Sequence, residues 1–362
     1  MGLHHVGHPI GDERRCLPPD PLPSISAAGG AALAILFETE QNPIPEGANA
    51  EFVLTPDGRK LRTAWWHPAA SATRGTILVL HGRAECIEKY FETVSELRRR
   101  GYSVVTFDWR GQGGSTRSLR DPRKGHVDDF SEYLVDLETV MREVALPRCH
   151  PPYNILAHST GAAIALLYAA RARTQVERMV LTAPLLALSG GRTHFLRVVT
   201  GILNYLGLGE MYAGPFRGDL VQLRPFEGNR VTSDKRRYER VRELIEAHPE
   251  LGLSGPTLAW VHSALRAAEF LALPEFAERV PLPVLIAMAG QESIVSNRAI
   301  EEFTLRIKTV GNVRIAGAMH EILQEDDRYR EIFWAAFDAF IGEPDEAWRT
   351  PFTSPGAPPP QA

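Results

Sequence analysis

Cysteine is scarce in this chain of 362 residues. There are three, Cys16, Cys86 and Cys149, an odd number with no C-x-x-C pair. That argues against a disulfide framework, and it predicts a reducing, cytoplasmic setting. Long apolar runs are missing too. No stretch approaches the roughly 20 apolar residues a membrane span needs. The longest early run, "AAGGAALAILF" (Ala27–Phe37), follows Arg14 and Arg15, which outlines a signal peptide faintly. Glu38 and Glu40 come directly after it, and no small-x-small cleavage site is present, so a short helix or an unstructured lead-in is expected instead. Excess charge is also absent. The net charge of −4 gives nucleic acid no reason to bind. There is no internal repeat.

What is present is ordinary globular composition, 44% hydrophobic and 23% charged, at a length that fits one large α/β domain with an insertion. Residues 1–40 and the Pro-rich residues 343–362 read as poorly ordered ends. Between them the punctuation is regular. "EFVLT" and "KLRTAWW" flank Pro56-Asp57-Gly58 as an antiparallel hairpin. "TILVL", "YSVVTF", "YNILA", "RMVLTA", "PVLIAMA" and "VRIA" are short apolar runs of the kind that form buried strands. Helical patterns separate them, among them a helix expected from Val127 to Val144 and a last one from Asp326 to Phe340. The alternation stops between about residues 185 and 281 and then resumes. The prediction is an α/β fold in which a mostly parallel central sheet carries helices on both faces. Residues 41–184 and 282–342 form its core, and 185–281 form an inserted helical cap.

In such folds reactive groups gather at the carboxyl ends of the strands. "LAHSTGAA" (Leu156–Ala163) places Ser159 where a strand hands over to a helix. This is the context of a nucleophile elbow, with Ala157 in place of the first glycine of G-x-S-x-G. A serine hydroxyl needs a base, and the base needs a carboxylate to orient it, in the chain order serine, acid, histidine. His320 follows the strand "VRIA"; His194, His248 and His262 have no such placement. Glu292 lies on the loop after "PVLIAMA". The backbone N–H groups of Thr160 and of Arg83, after His81-Gly82, are the expected oxyanion donors.

Three other motifs fail on inspection. "DWRGQGGS" (Asp108–Ser115) has Thr116 where G-x-G-x-x-G needs its last glycine and lacks the K-[ST] of a phosphate loop; a structural loop beside the site is expected. "HEILQ" has Gln324 where a zinc protease needs its second histidine. His4, His5 and His8 lie in the lead-in. No metal and no organic cofactor is expected.

With these residues placed, the sequence resembles the α/β-hydrolase superfamily. Within it, the sequence is similar to the bacterial lysophospholipase and monoacylglycerol lipase group, also described as serine-aminopeptidase-type hydrolases. The resemblance spans about residues 40–342. It rests on "HGRAECIEKY", "FDWRGQGGS", "GHVDDF", "LAHSTG", "ESIVSN" and "GAMHEILQE" in that order. Alanine before the H-S of the elbow and glutamate as the acid resemble the lysophospholipase branch. The resemblance implies an α/β-hydrolase fold with a helical cap and an acyl-ester substrate, a small-molecule lipid. A short-chain carboxylesterase or peptidase on the same scaffold is the alternative, and a non-catalytic binding protein a remote one. The apolar start of the cap, Phe195–Tyr212, reads first as ordinary packing, with an acyl chain or peripheral contact at the inner membrane face as the alternative. Arg217, Arg224, Arg230, Arg236 and Arg237 read first as a solvated basic face, with a phosphate head group as the alternative. The Arg83 side chain near the site mouth carries the same hint.

Overall fold

The computed structural model describes residues 35–69, 73–171, 174–191, 193–215 and 218–342. Eight strands form one sheet in the order β1-β2-β4-β3-β5-β6-β7-β8. β1 (Asn49–Leu54) and β2 (Lys60–Trp66) are the antiparallel hairpin, and β2 also runs antiparallel to β4 (Ser103–Phe107). From β4 the sheet is parallel through β3 (Thr76–Leu80), β5 (Tyr153–His158), β6 (Val176–Thr182), β7 (Val284–Ala289) and β8 (Val310–Ile315).

The continuous apolar runs have a simple cause. Successive side chains point to opposite faces, and both faces are covered. Leu78, Leu80, Ile155 and Ala157 face one core, shared with α2 (Ser131–Val140) and α4 (Thr160–Ala169). Ile77, Val79 and Leu156 face the other, shared with α1 (Phe91–Arg99) and α10 (Asp327–Ile341). Each fully buried aliphatic side chain contributes about 1.5–3 kcal/mol.

α2 begins at Ser131 rather than at Val127, as its apolar period implied, and it runs on through a π turn, Met141–Ala145, into the short α3 (Leu146–Arg148). Asp129 and Glu132 set that start. The Asp129 carboxylate accepts from the Ser131 N–H at 2.9 Å, and Glu132 reaches back to the amides of Asp128 and Asp129, both at 3.1 Å. Residues 35–40, expected in the unstructured lead-in, are tied to the core. Leu36 is buried, and the Phe37 N–H donates to Glu88 at 3.2 Å. The rest of the lead-in and the Pro-rich end lie outside the described residues.

Between β6 and β7 the chain leaves the sheet for α5 (Thr193–Leu203), α6 (Lys235–Ala247), α7 (Leu258–Leu271) and α8 (Pro274–Ala277). α9 (Asn297–Thr304) follows β7. The inserted segment is fastened by charge. Arg237, 1% exposed, meets Glu92 of α1 and Asp327 of α10 at 2.6 and 2.5 Å. The expectation of a solvated basic face fails here because core carboxylates neutralise that arginine. Arg236 is exposed, and Arg217 lies outside the described residues.

Candidate active site

Ser159 sits between β5 and α4 with φ 50° and ψ −111°, a left-handed conformation that costs a non-glycine residue energy. The turn is tight because α4 starts directly under β3. A Cβ on Gly161 would stand 2.5 Å from the Leu80 carbonyl oxygen and 2.6 Å from that of His81. Ala157 lies two residues before Ser159 in β5, paired with Leu80 and Leu181 and fully buried, and its methyl is accommodated.

β7 and β8 deliver the next two residues. His320 Nε2 lies 3.0 Å from Ser159 Oγ, and His320 Nδ1 lies 2.7 Å from Glu292 Oε2. The other Glu292 oxygen accepts the backbone N–H groups of Ser293, Ile294 and Val295 at 2.8, 2.7 and 3.2 Å. Burial pushes this carboxyl up, but the hydrogen bond and charge of His320 and the backbone N–H groups outweigh it and hold the carboxyl below its usual range. Beneath His320 lies a second imidazole, His158, with ring centroids 4.8 Å apart. Burial pushes His158 down to about 3, so it is neutral.

Above the serine runs the loop after β3. A Cβ on Gly82 would stand 3.1 Å from His158 Cδ2 and 3.4 Å from Ser159 Cβ, so glycine lets the loop close on the serine. The amides of Arg83 and Thr160 donate no hydrogen bond to another described residue. Glu85 holds this loop. Its Oε2 accepts from the Gly82 N–H at 2.5 Å and from the Tyr90 hydroxyl at 2.9 Å. Its Oε1 meets Lys89 Nζ at 2.7 Å, and Lys89 in turn meets Glu321 at 2.7 Å. Burial raises both carboxyls. The charge and hydrogen bond of Lys89 pull Glu85 back well below its usual range, whereas Glu321 stays raised.

The glycines of "DWRGQGGS" serve a structural loop, as expected. They wrap the buried Asp108 carboxylate, which receives the Gly114 and Ile87 amides at 2.7 and 2.9 Å and the Arg62 guanidinium at 2.6 Å. Gln324 ties the loop after His320 to the Lys89 carbonyl at 3.0 Å.

Ser159, His158 and His320 open into a cavity of about 720 Å³. Its wall has two characters. Leu185, Leu188, Trp260, Val261, Leu265 and Ile294 make an apolar part, whereas Lys89, Arg224, Arg230, Thr232, Glu321 and Gln324 make a polar one. Sequence reasoning missed Glu85, Lys89, Glu321 and His158. The spacing of Glu85 and Lys89 was the one available signal, since residues four apart meet on a helical turn.

An eight-stranded, mostly parallel sheet with a serine, histidine and carboxylate assembled at its carboxyl edge defines an α/β-hydrolase fold serine hydrolase. The chain belongs to the serine aminopeptidase S33 family, whose model matches residues 71–327. It is 32% identical to the probable lysophospholipase L2 of Haemophilus influenzae over 78% of this chain and 89% of that one. It is 30% identical to lysophospholipase L2 of Escherichia coli over 71% and 77% of the two chains. Among solved structures, a soluble variant of monoglyceride lipase from Saccharomyces cerevisiae shares the fold. The TM-score is 0.65 at 20% identity, over 84% of this chain and 99% of that one.

Proposed function

We propose that Ser159 is the nucleophile of an acyl-ester hydrolase acting on single-chain lipids, lysophospholipids or monoacylglycerols. The observation that carries this reading is the two-part cavity around one activated serine. An acyl chain lies against Trp260, Val261 and Leu265, and the glycerol end lies against the polar wall.

His320 takes the Ser159 proton as the hydroxyl attacks the ester carbonyl. The amides of Arg83 and Thr160 receive the oxyanion. His320 then protonates the leaving alcohol. A water, deprotonated by His320, attacks the acyl-enzyme and releases the fatty acid and the serine. Glu292 fixes the imidazole tautomer and stabilises its cation.

Residues 185–281 act as the cap over the core of residues 41–184 and 282–342. α5 and the turn after it expose Phe195, Ile202, Tyr205, Leu206 and Met211, between 54% and 91% accessible. A lipid surface fits this face, and we assign peripheral membrane contact to it. No helix among the described residues is long and apolar enough to cross a membrane.

Labelling by a fluorophosphonate probe tests the nucleophile: wild type reacts and Ser159→Ala does not. Equal labelling of both proteins would sink the assignment. Turnover of lysophospholipid, monoacylglycerol and p-nitrophenyl esters of rising chain length then tests the substrate. Preference for the shortest esters, or for peptides, would replace the lipid reading.

A further inference from the structure

Among the described residues, several buried cations have carboxylate partners, whereas the half-buried Arg117 and Arg83 have none and differ from each other. Arg62 meets Glu88 and Asp108, Arg110 meets Asp57, Glu132 and Asp136, and Lys89 meets Glu85 and Glu321. Arg117 has no carboxylate, but its guanidinium donates to the carbonyls of Gly111, Gly113, Pro122, Glu250 and Gly252. Arg83 has neither arrangement. Of its five N–H donors, the Nη1 group donates to the Ser254 carbonyl at 3.0 Å. The guanidinium lies 5.8 Å from the Trp260 ring centroid. No other hydrogen bond or ion pair ties it to a described residue.

Arg83 lines the cavity that holds Ser159 and His320, and so does Arg224. Burial pushes Arg83 down to about 10, and the like charge of Arg224 pushes in the same direction. Two guanidinium groups that line one cavity repel each other. The fold nonetheless makes room for the arm, since a Cβ on Gly125 would stand 3.2 Å from Arg83 Nη1. Planar guanidinium donors match the paired oxygens of a phosphate.

We propose that Arg83, with Arg224 beside it, is the phosphate-binding site of this cavity, so that lysophospholipids are turned over in preference to monoacylglycerols. The assignment rests on the ester-hydrolase reading above. The carboxylate of a fatty-acid product is not the anion in question, because it forms at Ser159, where the backbone amides receive it. The phosphodiester of a head group is the remaining anion on such a substrate.

Two measurements test it. The first uses p-nitrophenyl butyrate as reporter. Glycerol 3-phosphate competes with the reporter in wild type while glycerol at the same concentration does not, and Arg83→Met weakens that competition about tenfold or more, as expected for loss of a charge-assisted hydrogen bond. The second compares kcat/KM for lysophosphatidylethanolamine and monoacylglycerol of one chain length. Arg83→Met lowers the ratio about tenfold or more, mostly through KM, and Arg83→Lys restores part of it. The substitution keeps the backbone amide, and the ratio cancels any loss common to both substrates.

Glycerol 3-phosphate competing no better than glycerol in wild type would overturn the proposal, whatever the variants do. So would an unchanged ratio in a folded Arg83→Met protein. Acetate competing as well as glycerol 3-phosphate would overturn it in favour of a carboxylate site, and inorganic phosphate competing as well would overturn the head-group assignment. Absence of reporter hydrolysis would instead be a failure of the ester-hydrolase reading.

Discussion

Lys89 Nζ stands 2.7 Å from a carboxylate oxygen of Glu321, the residue that follows His320. Through Glu85 the same ammonium reaches the Gly82 amide. One buried cation therefore ties the loop of Gly82 and Arg83 to the loop that carries His320. Lys89→Met leaves two carboxylates facing each other, and breaking a buried pair costs about 3–5 kcal/mol. The expected result is a lower Tm and, in protein still folded at the assay temperature, a kcat loss that exceeds the KM change. Lys89→Arg should recover kcat in part. A KM effect alone would show that Lys89 contacts substrate and positions nothing.

Gly161 and Ala157, the two small residues of the turn, differ in what they tolerate. Gly161→Ala drives a Cβ into the Leu80 and His81 carbonyls and should reduce kcat at least about a hundredfold, because small misplacements at a reacting centre have effects of that size. Ala157→Gly should keep activity within a few-fold, since the site already accepts the smaller group. Ala157→Leu should fail to fold stably, as overpacking a buried strand costs about 1–3 kcal/mol or more. Steady-state kinetics and thermal melts on the three variants check this.

The meeting of Ser159, Glu292 and His320 was legible because each follows a strand of one parallel sheet, and strand ends converge by topology rather than by contact. The Lys89 bridge was not legible, because Glu321 lies far along the chain and nothing local to either residue announces the other. Arg237 of the insertion was misread for a similar reason. A basic run looks solvated until its partners are known, and the partners of Arg237 are Glu92 and Asp327, on α1 and α10. The start of α2 was misplaced because Val127 and Phe130 are apolar for another reason. They are buried, and the Phe130 N–H donates to Ser263 of α7 at 2.7 Å.

His158 should make the fold acid-sensitive. The unfolded imidazole takes up a proton below about 6.5, the folded one only below about 3. Between those values the unfolded state binds the extra proton, so stability falls as pH falls. Its contribution is fully present above 6.5 and declines by about 1.4 kcal/mol per pH unit, or about 2 kcal/mol by pH 5. Urea unfolding at pH 7 and pH 5 should show a smaller difference for His158→Gln than for wild type.

Glu292→Gln keeps the size of the side chain but removes the charge and can present the wrong hydrogen-bond partner to His320 Nδ1. Loss of kcat by about 10⁴ is expected, the scale for losing this orienting carboxylate. Stability should change in a pH-dependent way as well. The folded carboxyl lies below its ordinary value, so its contribution is present above that value and is lost as pH falls through the folded one. Melts of wild type and variant should therefore converge in acid.

Tyr205→Ser combined with Leu206→Ser removes two of the most exposed apolar groups without touching the core. Binding to lipid vesicles in a sedimentation assay should weaken several-fold, while Tm and hydrolysis of a soluble p-nitrophenyl ester stay near wild type. Unchanged vesicle binding would remove this face from the membrane contact.

The peptide groups behind the polar wall join two parts of the chain. The Glu321 amide donates to the Val231 carbonyl at 2.7 Å, and the Thr232 hydroxyl donates to the Gln324 carbonyl at 2.8 Å. The strip of chain that lines the polar wall is thus hydrogen-bonded to the loop that carries His320. Selectivity and speed are consequently not independent traits here. A lineage, or an engineer, that rewrites residues 231–232 to admit a different alcohol also disturbs the setting of the imidazole. Variants with altered preference should therefore first arise as slow enzymes, regaining speed through later changes in residues 321–325.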